Sequence, residues 1–467
     1  MSGFDALSRA VSVLFPQAVE DLKTLCKIPS VSFPDYDHRE LDRSAQAVAS
    51  LLTRMGFPEV QVVRNPGKDV GTGGSPAVLA AWGHDALRPT ILLYAHHDVQ
   101  PEMRIERWVS EPFEPTVRAG RLFARGAADD KAGVLVHAAA CAALHSTDAS
   151  ALPNIRILIE GEEEVGSVGL EELLRTHCEF LKSDVAIVAD LGNFATGVPA
   201  LTASLRGMVA LEIEVRSMER SVHSGIWSGP VPDVVQGLCK MIASLTDERG
   251  NIVVPGILAA VIPPDAQTLA SYRSLDIREN IFRAELGLKP GVQLRVPESE
   301  IALAQWRQPS LTVTTIEAGN RKTAGNVLLD SAWARLSIRL VPGMEWKTVV
   351  AQVSAHLRKN CPWGLELSIV SDAGADAWVT PTSHPAFQHM LAALEAGYGT
   401  PARIIGCGAS IPGAPLFSEA LGDIPVLLTG LEDALANAHG ENESLDLEDF
   451  RKAILAEAEF LRRIVPS

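Results

Sequence analysis

The chain has 467 residues, which is too long for one compact core, and at roughly 150 residues per domain the length predicts two or three domains. Hydrophobic residues make up 47% of the chain and charged residues 21%, a balance that excludes a disordered or fibrous protein. The 41 basic and 57 acidic side chains leave a net charge of −16. Because phosphate backbones repel an acidic surface, this charge argues against nucleic acid as a partner.

The cysteines and the hydropathy pattern indicate a cytoplasmic protein. Six cysteines are present without any CxxC pair, which favours free thiols in a reducing compartment over a disulfide framework. No segment approaches the roughly 18 apolar residues that a membrane helix needs. The N-terminal stretch predicts an amphipathic helix and has no basic start or cleavage site of a signal peptide. We therefore expect no membrane association.

The first part of the chain alternates short apolar runs with helical patterns. The apolar runs are 76–82, 90–95, 154–159 and 184–188, and the helical patterns are 40–55, 131–144 and 169–181. The C-terminal part continues in the same way, with a helix at 385–398, a run at 424–428 and a closing helix at 447–464. This alternation predicts an α/β domain whose central sheet is mostly parallel and flanked by helices.

The middle of the chain has a different order of elements. Strand patterns at 209–215, 311–318, 332–340 and 365–371 combine with helical patterns at 231–245 and 346–357. The order is β-α-β-β-α-β, which predicts an α+β layer of one sheet and two helices. Residues 246–310 interrupt it with a Pro-rich, poorly periodic insertion. We therefore predict one domain from residues 1–196 and 380–467, and a second, inserted domain from 197–379.

Side chains of the kind that bind metals follow several predicted strands. They are His96, His97 and Asp98 after the second run, Glu160, Glu162, Glu163 and Glu164 after the third, Asp190 after the fourth, and His439 after the run at 424–428. Another pair, Asp129 and Asp130, precedes the helix at 131. Ligands of open α/β sheets bind beyond the carboxyl ends of strands, so these groups should converge. Taken singly, each has an ordinary alternative: a structural histidine, a solvated acidic loop or a helix cap.

The set of residue types suits a pair of divalent ions. Imidazoles and carboxylates favour zinc, with manganese or cobalt as alternatives. Two ions about 3.5–4 Å apart need a bridging carboxylate, and a hydrolase also needs an uncoordinated base. The adjacent Glu163 and Glu164 can supply one ligand and one base, because neighbouring side chains at a strand end point in different directions.

These residues lie in motifs that resemble a known family. The motifs are AHHDVQP (95–101), RGAADDKAG (125–133), EGEEEVGS (160–167), VAD (188–190), HSG (223–225), SIRLVPG (337–343) and AHGENE (438–443). They resemble the co-catalytic metallopeptidases, which include carnosine dipeptidases, aminoacylases, succinyl-diaminopimelate desuccinylase and glutamate carboxypeptidase. The resemblance runs from about residue 28 to the C-terminus, and the wording is most similar to the carnosine dipeptidase-like branch.

The resemblance implies a role for each residue of the metal centre. It implies that His96 and Asp190 bind the first ion, that Glu164 and His439 bind the second, and that Asp129 bridges them. It implies further that Asp98 orients His96, that Glu163 is the base, and that the Asp129–Asp130 peptide bond is cis. The family pattern His-x-Asp selects His96 over His97, and strand alternation places the two histidines on opposite faces. In the family an acidic pair shortly precedes a glycine-serine step. The glycine of that step is Gly166 here, so the resemblance selects Glu163 and Glu164 over Glu162.

The resemblance also implies that the protein is a homodimer and that the inserted domain is its lid and dimerisation domain. It implies that His223 stabilises the oxyanion, often in the active site of the partner subunit. Arg339 matches an arginine that holds a substrate carboxylate, and Asn326 and Ser410 are weaker candidates for the same pocket. The ordinary alternatives are a loop histidine for His223 and a structural ion pair for Arg339.

One loop departs from the family pattern. Dipeptidases of this branch carry an arginine, an acidic residue and two glycines before Ser-Ile-Pro, where this chain has Gly406, Cys407, Gly408 and Ala409. Arg403 lies three residues too early to take the place of the missing arginine without a shift of the loop. The change leaves the metal chemistry intact and puts ordinary dipeptide specificity in question.

Together these features predict a dinuclear metal-dependent hydrolase. It would cleave the amide bond of dipeptides or dipeptide-like N-acyl amino acids by attack of a water held between two zinc ions. One alternative is an amidohydrolase or deacylase of modified amino acids or carbamoyl amines. An alternative of another class is an inactive metal-binding scaffold, against which the retained Glu163 argues.

Overall fold

The computed structural model describes residues 3–64, 74–408 and 413–465. The helices are α1 Gly3–Cys26, α2 Arg39–Arg54, α3 Lys131–Asp148, α4 Leu170–Thr176, α5 Cys178–Leu181, α6 Ser224–Trp227, α7 Val234–Ala243, α8 Ala266–Arg273, α9 Glu279–Glu285, α10 Ile301–Trp306, α11 Trp346–Lys359, α12 Pro385–Tyr398, α13 Gly413–Ala420 and α14 Leu447–Ile464. None of the described helices is long and apolar enough to cross a bilayer.

The strands occupy most of the apolar runs of the sequence. They are β1 Glu59–Arg64, β2 Pro76–Trp82, β3 Thr90–His96, β4 Thr116–Arg118, β5 Arg121–Phe123, β6 Asn154–Glu160, β7 Val185–Val188, β8 Ala200–Leu205, β9 Gly207–Arg216, β10 Val222–His223, β11 Ser310–Glu317, β12 Val327–Leu328, β13 Ser331–Leu340, β14 Glu366–Ser371, β15 Trp378–Val379, β16 Arg403–Cys407, β17 Val426–Leu428 and β18 Ser444–Asp446.

The chain forms two compact units. Unit 1 consists of residues 1–203, 380–405 and 412–467, and unit 2 consists of residues 204–379 and 406–411. Unit 1 contains both ends of the chain, and unit 2 contains the elements from β9 to β14.

The sheet of unit 1 has the strand order β1-β2-β6-β3-β7-β17-β8. The four central strands, β6, β3, β7 and β17, are parallel, whereas the flanking pairs β1–β2, β2–β6 and β17–β8 are antiparallel. The prediction of an α/β domain with a parallel central sheet is therefore confirmed. Six of the seven residues of β3 are buried and β7 is buried throughout, as expected of strands covered on both faces.

Helices cover this sheet with a continuous apolar core. Helix α3 packs on β3 and is flanked by α1 and α14, while α2 packs on β1 and β2. All but one of the first fourteen residues of α3 are buried, which agrees with the near-absence of charged residues after Lys131. Because β6, β3, β7 and β17 are parallel, their carboxyl ends lie along one edge of the sheet, and the loops that follow them meet there.

Unit 2 has an antiparallel four-stranded sheet in the order β11-β13-β9-β14. Alternate residues of β13 are buried, and this buried face packs with α7 and α11 in a second apolar core. The element order β9-α7-β11-β13-α11-β14 is the predicted β-α-β-β-α-β. A separate short ribbon pairs β10 with β12.

The structure differs from the sequence prediction at several places, which include the unpredicted strands β1 and β8 of the central sheet. The helical pattern at 169–181 is two helices, α4 and α5, that meet at His177. The insertion at 246–310 contains α8, α9 and α10 despite its weak periodicity. A three-stranded antiparallel sheet of β18, β5 and β4 was not predicted, because strands of three residues are too short to carry a periodic signal.

Candidate metal centre

The first ligand group combines residues from three segments of unit 1. His96 ends β3, Asp190 follows β7 by two residues, and Asp129 lies just before α3. The His96 Nε2 atom lies 3.0 Å from Asp129 Oδ1 and 3.5 Å from Asp190 Oδ1. One potential ligand atom from each of the three side chains lies within 4.8 Å of the others.

The second ligand group shares Asp129 with the first. His439 Nε2 lies 2.9 Å from Asp129 Oδ2 and 3.3 Å from Glu164 Oε2. These three side chains also place ligand atoms within 4.8 Å of one another. Asp129 therefore directs Oδ1 toward His96 and Oδ2 toward His439, which is the arrangement of a carboxylate that bridges two ions.

The five side chains fit two divalent cations in composition and in electrostatics. Three carboxylates and two imidazoles are the donor set of zinc and related ions. Burial, followed by the negative charge of Asp129, raises the pKa of Glu164 to about 9. Burial likewise raises the pKa of Asp190. Carboxylates so close together and so little solvated need positive charge between them to remain ionised, and two divalent ions would supply it.

Asp98 contacts segments that belong to both ligand groups. Its Oδ1 lies 3.3 Å from His96 Nδ1, and its two oxygens accept hydrogen bonds from the backbone N–H groups of Glu163 (3.2 Å) and Glu164 (3.1 Å). Burial disfavours protonation of His96, but the charge of Asp190 and the hydrogen bonds of Asp129, Asp190 and Asp98 raise its pKa well above the usual value. With Nδ1 engaged by Asp98, Nε2 is the nitrogen that faces Asp129 and Asp190.

His97 and Glu162 have other contacts. His97 is fully buried, its Nε2 lies 2.9 Å from the carbonyl oxygen of Pro76, and burial lowers its pKa to about 4. It is therefore a neutral structural histidine. Glu162 Oε1 accepts a 2.6 Å hydrogen bond from the backbone N–H of Gly169 and so ties its own loop.

Glu163 belongs to neither ligand group among the described residues. Burial and the neighbouring charge of Asp190 raise its pKa well above the ordinary range for a glutamate. The peptide bond between Asp129 and Asp130 is cis, and Asp130 Oδ2 accepts a 3.1 Å hydrogen bond from the backbone N–H of His96.

Several residues near the centre were missed by the sequence analysis. Gln100 donates a 2.7 Å hydrogen bond to Glu164 Oε2 and orients that carboxylate. Burial and the charge of Asp129 raise the pKa of Glu432 well above its usual value, so a further carboxylate lies near the ligands. Arg125 and Glu443 form a buried ion pair. Only position within the AHHDVQP, RGAADDKAG and AHGENE motifs signalled Gln100, Arg125 and Glu443, and nothing in the sequence signalled Glu432.

Unit 2 brings two of its candidate residues together. His223 on β10 pairs with Val327 on β12, and the backbone N–H of Ser224 donates a 2.9 Å hydrogen bond to the carbonyl oxygen of Asn326. His223 and Asn326 are both exposed.

Arg339 lies on β13, opposite Ser310 in the neighbouring strand. Arg206 lies close to it, since burial and then the charge of Arg339 lower the pKa of Arg206. Arg206 lies between β8 and β9, and none of the family-like motifs includes it.

The loop that departs from the family pattern has no room for a side chain at its first position. A Cβ atom on Gly406 would lie 2.6 Å from Trp306 Cβ and 2.9 Å from Ser204 Oγ. Arg206 Nε donates a 3.2 Å hydrogen bond to the carbonyl oxygen of Gly408, so a guanidinium contacts this loop. Ser410 lies outside the described residues.

Comparison with known proteins identifies the family. The profile of Peptidase family M20/M25/M40 matches residues 92–463. The chain belongs to this family of metallopeptidases. It is 32% identical over 80% of both chains to the cysteinylglycine-S-conjugate dipeptidase of Corynebacterium striatum. It is 30% identical over 87% of its length to the β-Ala-His dipeptidase of Homo sapiens, of which it covers 82%.

The fold of the M20 chain also matches a solved relative over nearly its whole length. The crystal structure of human carnosine dipeptidase 1 superposes with a TM-score of 0.81 at 28% sequence identity, and the match covers 99% of each chain. The predicted resemblance to the carnosine dipeptidase-like branch is thereby confirmed.

Proposed function

We propose that this M20 enzyme is a dinuclear metal-dependent dipeptidase. It hydrolyses the amide bond of dipeptides or of dipeptide-like N-acyl amino acids. The observation that carries the proposal is the orientation of Asp129, whose two oxygens face His96 and His439 at 3.0 and 2.9 Å. A single carboxylate shared by two ligand groups is what a two-ion hydrolase requires.

Five side chains would hold the ions. His96, Asp129 and Asp190 would bind one, and Asp129, Glu164 and His439 the other. Zinc is the ion proposed, with manganese or cobalt as alternatives, because the donor set accepts all three. When bound, the ions supply Lewis acidity toward a carbonyl oxygen and toward water.

The protein supplies the proton transfers. Glu163 lies next to Glu164 in the chain but outside both ligand groups, so its carboxylate is free to take a proton from the attacking water and deliver it to the leaving amine. Asp98 holds His96 by Nδ1 and, through the backbone N–H groups of Glu163 and Glu164, keeps the base beside the ligands.

The remaining proposed roles belong to residues of unit 2. His223 would donate a hydrogen bond to the developing oxyanion in the partner subunit of a homodimer, and Arg339, Asn326 and Ser410 would bind the substrate. We place this activity in the cytoplasm, because all six cysteines carry free thiols, as a reducing compartment maintains them. The acidic net charge supports a small-molecule substrate over nucleic acid.

The loop at Gly406 favours a second candidate, an amidase of modified amino acids. A missing arginine removes a charge-assisted contact to a substrate carboxylate, and such contacts are stronger than neutral hydrogen bonds. Because Trp306 and Ser204 leave no space for a side chain at this position, either Arg339 alone binds a substrate carboxylate or the substrate tail is less anionic.

Amine release from a panel of dipeptides, N-acyl amino acids and carbamoyl amines tests the proposal. Metal-free protein is reloaded with Zn²⁺, Mn²⁺ or Co²⁺, and Glu163→Gln serves as the matched control. Metal-dependent cleavage of a dipeptide that is lost in the variant supports a dipeptidase. Cleavage of only the other two classes supports the amidase, and no cleavage by the loaded protein would support a scaffold instead.

A further inference from the structure

A buried ion pair contacts the backbone segments that carry the proposed metal ligands. Arg125 Nη1 donates a 2.8 Å hydrogen bond to Glu443 Oε2, and the two side chains are 1% and 0% exposed. Neither residue belongs to a ligand group. They are 318 positions apart in the chain, so this contact joins two segments of unit 1 that are distant in the sequence.

Glu443 holds the segment that carries Asp129. Its Oε2 accepts a 3.0 Å hydrogen bond from the backbone N–H of Gly126, and its Oε1 accepts from those of Ala128 (2.9 Å) and Asp129 (3.1 Å). With the Arg125 guanidinium, the carboxylate makes four hydrogen bonds. The backbone of the bridging aspartate is therefore positioned by a side chain from the opposite end of the sequence.

Arg125 holds two further loops by its second terminal nitrogen. Nη2 donates to the carbonyl oxygen of Pro101, in the loop after β3, at 2.9 Å and to that of Gly440 at 3.1 Å. Gly440 is the residue after His439. One guanidinium thus connects the segments that carry His96, Asp129 and His439.

The segment around His439 has no helix or strand of its own to fix its backbone, so contacts with other segments must fix it. Three non-glycine residues of this segment, Asn437, His439 and Asn442, have positive φ angles of 53°, 61° and 62°. That conformation is uncommon for residues with a Cβ, and although Asn and His adopt it more readily than other types, contacts with the surroundings help to fix it. The segment has no strand or helix of its own between β17 and β18, and 57% of the His439 side chain is exposed.

We propose that Arg125 and Glu443 form a positioning clamp that sets the distance between Asp129 and His439 and thereby the affinity for the second ion. This inference rests on the proposed dinuclear centre. The first ion depends less on the clamp, because His96 ends β3 and Asp190 follows β7 within the buried sheet. Outer-shell partners of metal ligands change affinity by roughly 10- to 100-fold when they are removed.

Cobalt titration of the metal-free protein tests the clamp, because Co²⁺ absorption reports coordination geometry for each ion in turn. In Glu443→Gln we expect the second Co²⁺ to bind roughly 10- to 100-fold more weakly, with an altered absorption band, and the first Co²⁺, which is also held by His96 and Asp190, to lose clearly less affinity. Arg125→Lys keeps the charge but loses the forked contacts, and we expect the same selective loss. The double variant should lose no more than the stronger single variant, because the pair acts as a unit.

Glu457→Gln is the matched control. Glu457 is also buried and paired, with His137 at 2.9 Å, and its hydrogen bonds go to this histidine on α3 and not to the segments that carry Asp129 and His439. We expect it to lower the stability of the metal-free protein without changing either Co²⁺ affinity. If Glu443→Gln does not fold, Arg125→Lys carries the test by itself.

Two results overturn the clamp: wild-type affinity for both ions in Glu443→Gln and Arg125→Lys, or an equal weakening of both ions that Glu457→Gln reproduces. The readout is independent of the proposed activity. A wild-type protein that binds two ions but cleaves no dipeptide contradicts the dipeptidase proposal and leaves the clamp standing. A wild-type protein that binds only one ion overturns both.

Discussion

The metal ligands of unit 1 and the substrate-binding candidates of unit 2 are held in different ways. His96 ends a strand that is buried on both faces, and its imidazole is enclosed by Asp98, Asp129 and Asp190. His223, by contrast, lies on an exposed two-residue strand. Packing therefore fixes the side chain of His96 within unit 1, whereas the exposed His223 has few neighbours that fix its side chain, which is compatible with its proposed role in a partner subunit.

The largest effect should come from the base in unit 1. Glu163→Gln should lower kcat by roughly 10²- to 10⁴-fold, because general acid–base catalysis contributes about that much, while both metal ions remain bound. Activity and metal content are measured on the same preparation. Near-normal kcat would transfer the role to Glu162 or another group. Loss of a metal ion would mean that Glu163 and Glu164 have exchanged roles.

A smaller loss is expected at the exposed site of unit 2. His223→Ala should lower kcat by roughly 10²- to 10³-fold, the usual cost of one oxyanion donor. Mixing His223→Ala with Glu163→Gln subunits should then restore part of the activity, because one site of the mixed dimer has both groups intact. Absence of recovery despite demonstrated subunit exchange would show that His223 acts within its own chain or has no catalytic role.

Substrates with a free or an amidated C-terminus test the substrate-binding candidates of unit 2 separately from the metal ligands of unit 1. Because the loop carries Gly406 in place of an arginine, the preference in kcat/KM for a dipeptide over its C-terminal amide should stay below roughly 100-fold. Arg339→Ala should reduce it further, and Arg206→Ala, which removes the neighbouring guanidinium, should reduce it less. A preference of 100-fold or more that is unchanged in Arg403→Ala would show that the carboxylate site is not weakened.

The smallest effect concerns stability in unit 1. Burial disfavours protonation of His137, but the charge of Glu457 and the hydrogen bonds to Glu457 and to the carbonyl oxygen of Tyr94 together raise the pKa of His137. The pair therefore stabilises the fold fully below the unfolded pKa of about 6.5, and this contribution disappears as the pH rises through the higher folded pKa. Urea unfolding of metal-free protein should show Glu457→Gln about 2–3 kcal/mol less stable at pH 6, with the difference shrinking at alkaline pH. A difference that grows with pH would contradict this assignment.

The sequence predicts the elements of both units because their apolar patterns are regular. The run at 90–95 is uninterrupted and becomes the buried strand β3, and alternation predicts that His96 and His97 point to opposite sides. In the structure His96 faces Asp129 and His97 faces Pro76. The order of strands and helices in unit 2 was recovered for the same reason.

Other features depend on contacts between distant parts of the chain and have no local signal. His439 lies in a segment without periodicity, and the contact of Arg125 with the neighbouring Gly440 has no counterpart in the local sequence pattern. The space at Gly406 is closed by Trp306, which belongs to the weakly periodic insertion. Only packing of the folded chain reveals such neighbours.

The claim that Asp129 joins two ion sites in one chain is tested most directly by metal stoichiometry. Metal-free wild type and Asp129→Ala are loaded with Zn²⁺, freed of excess ion and analysed for metal content per chain. We predict two ions in the wild type and a loss of both from the variant, because each ligand group loses its shared carboxylate. A variant that retains a full complement of two ions, or a fully loaded wild type with only one, would contradict the account.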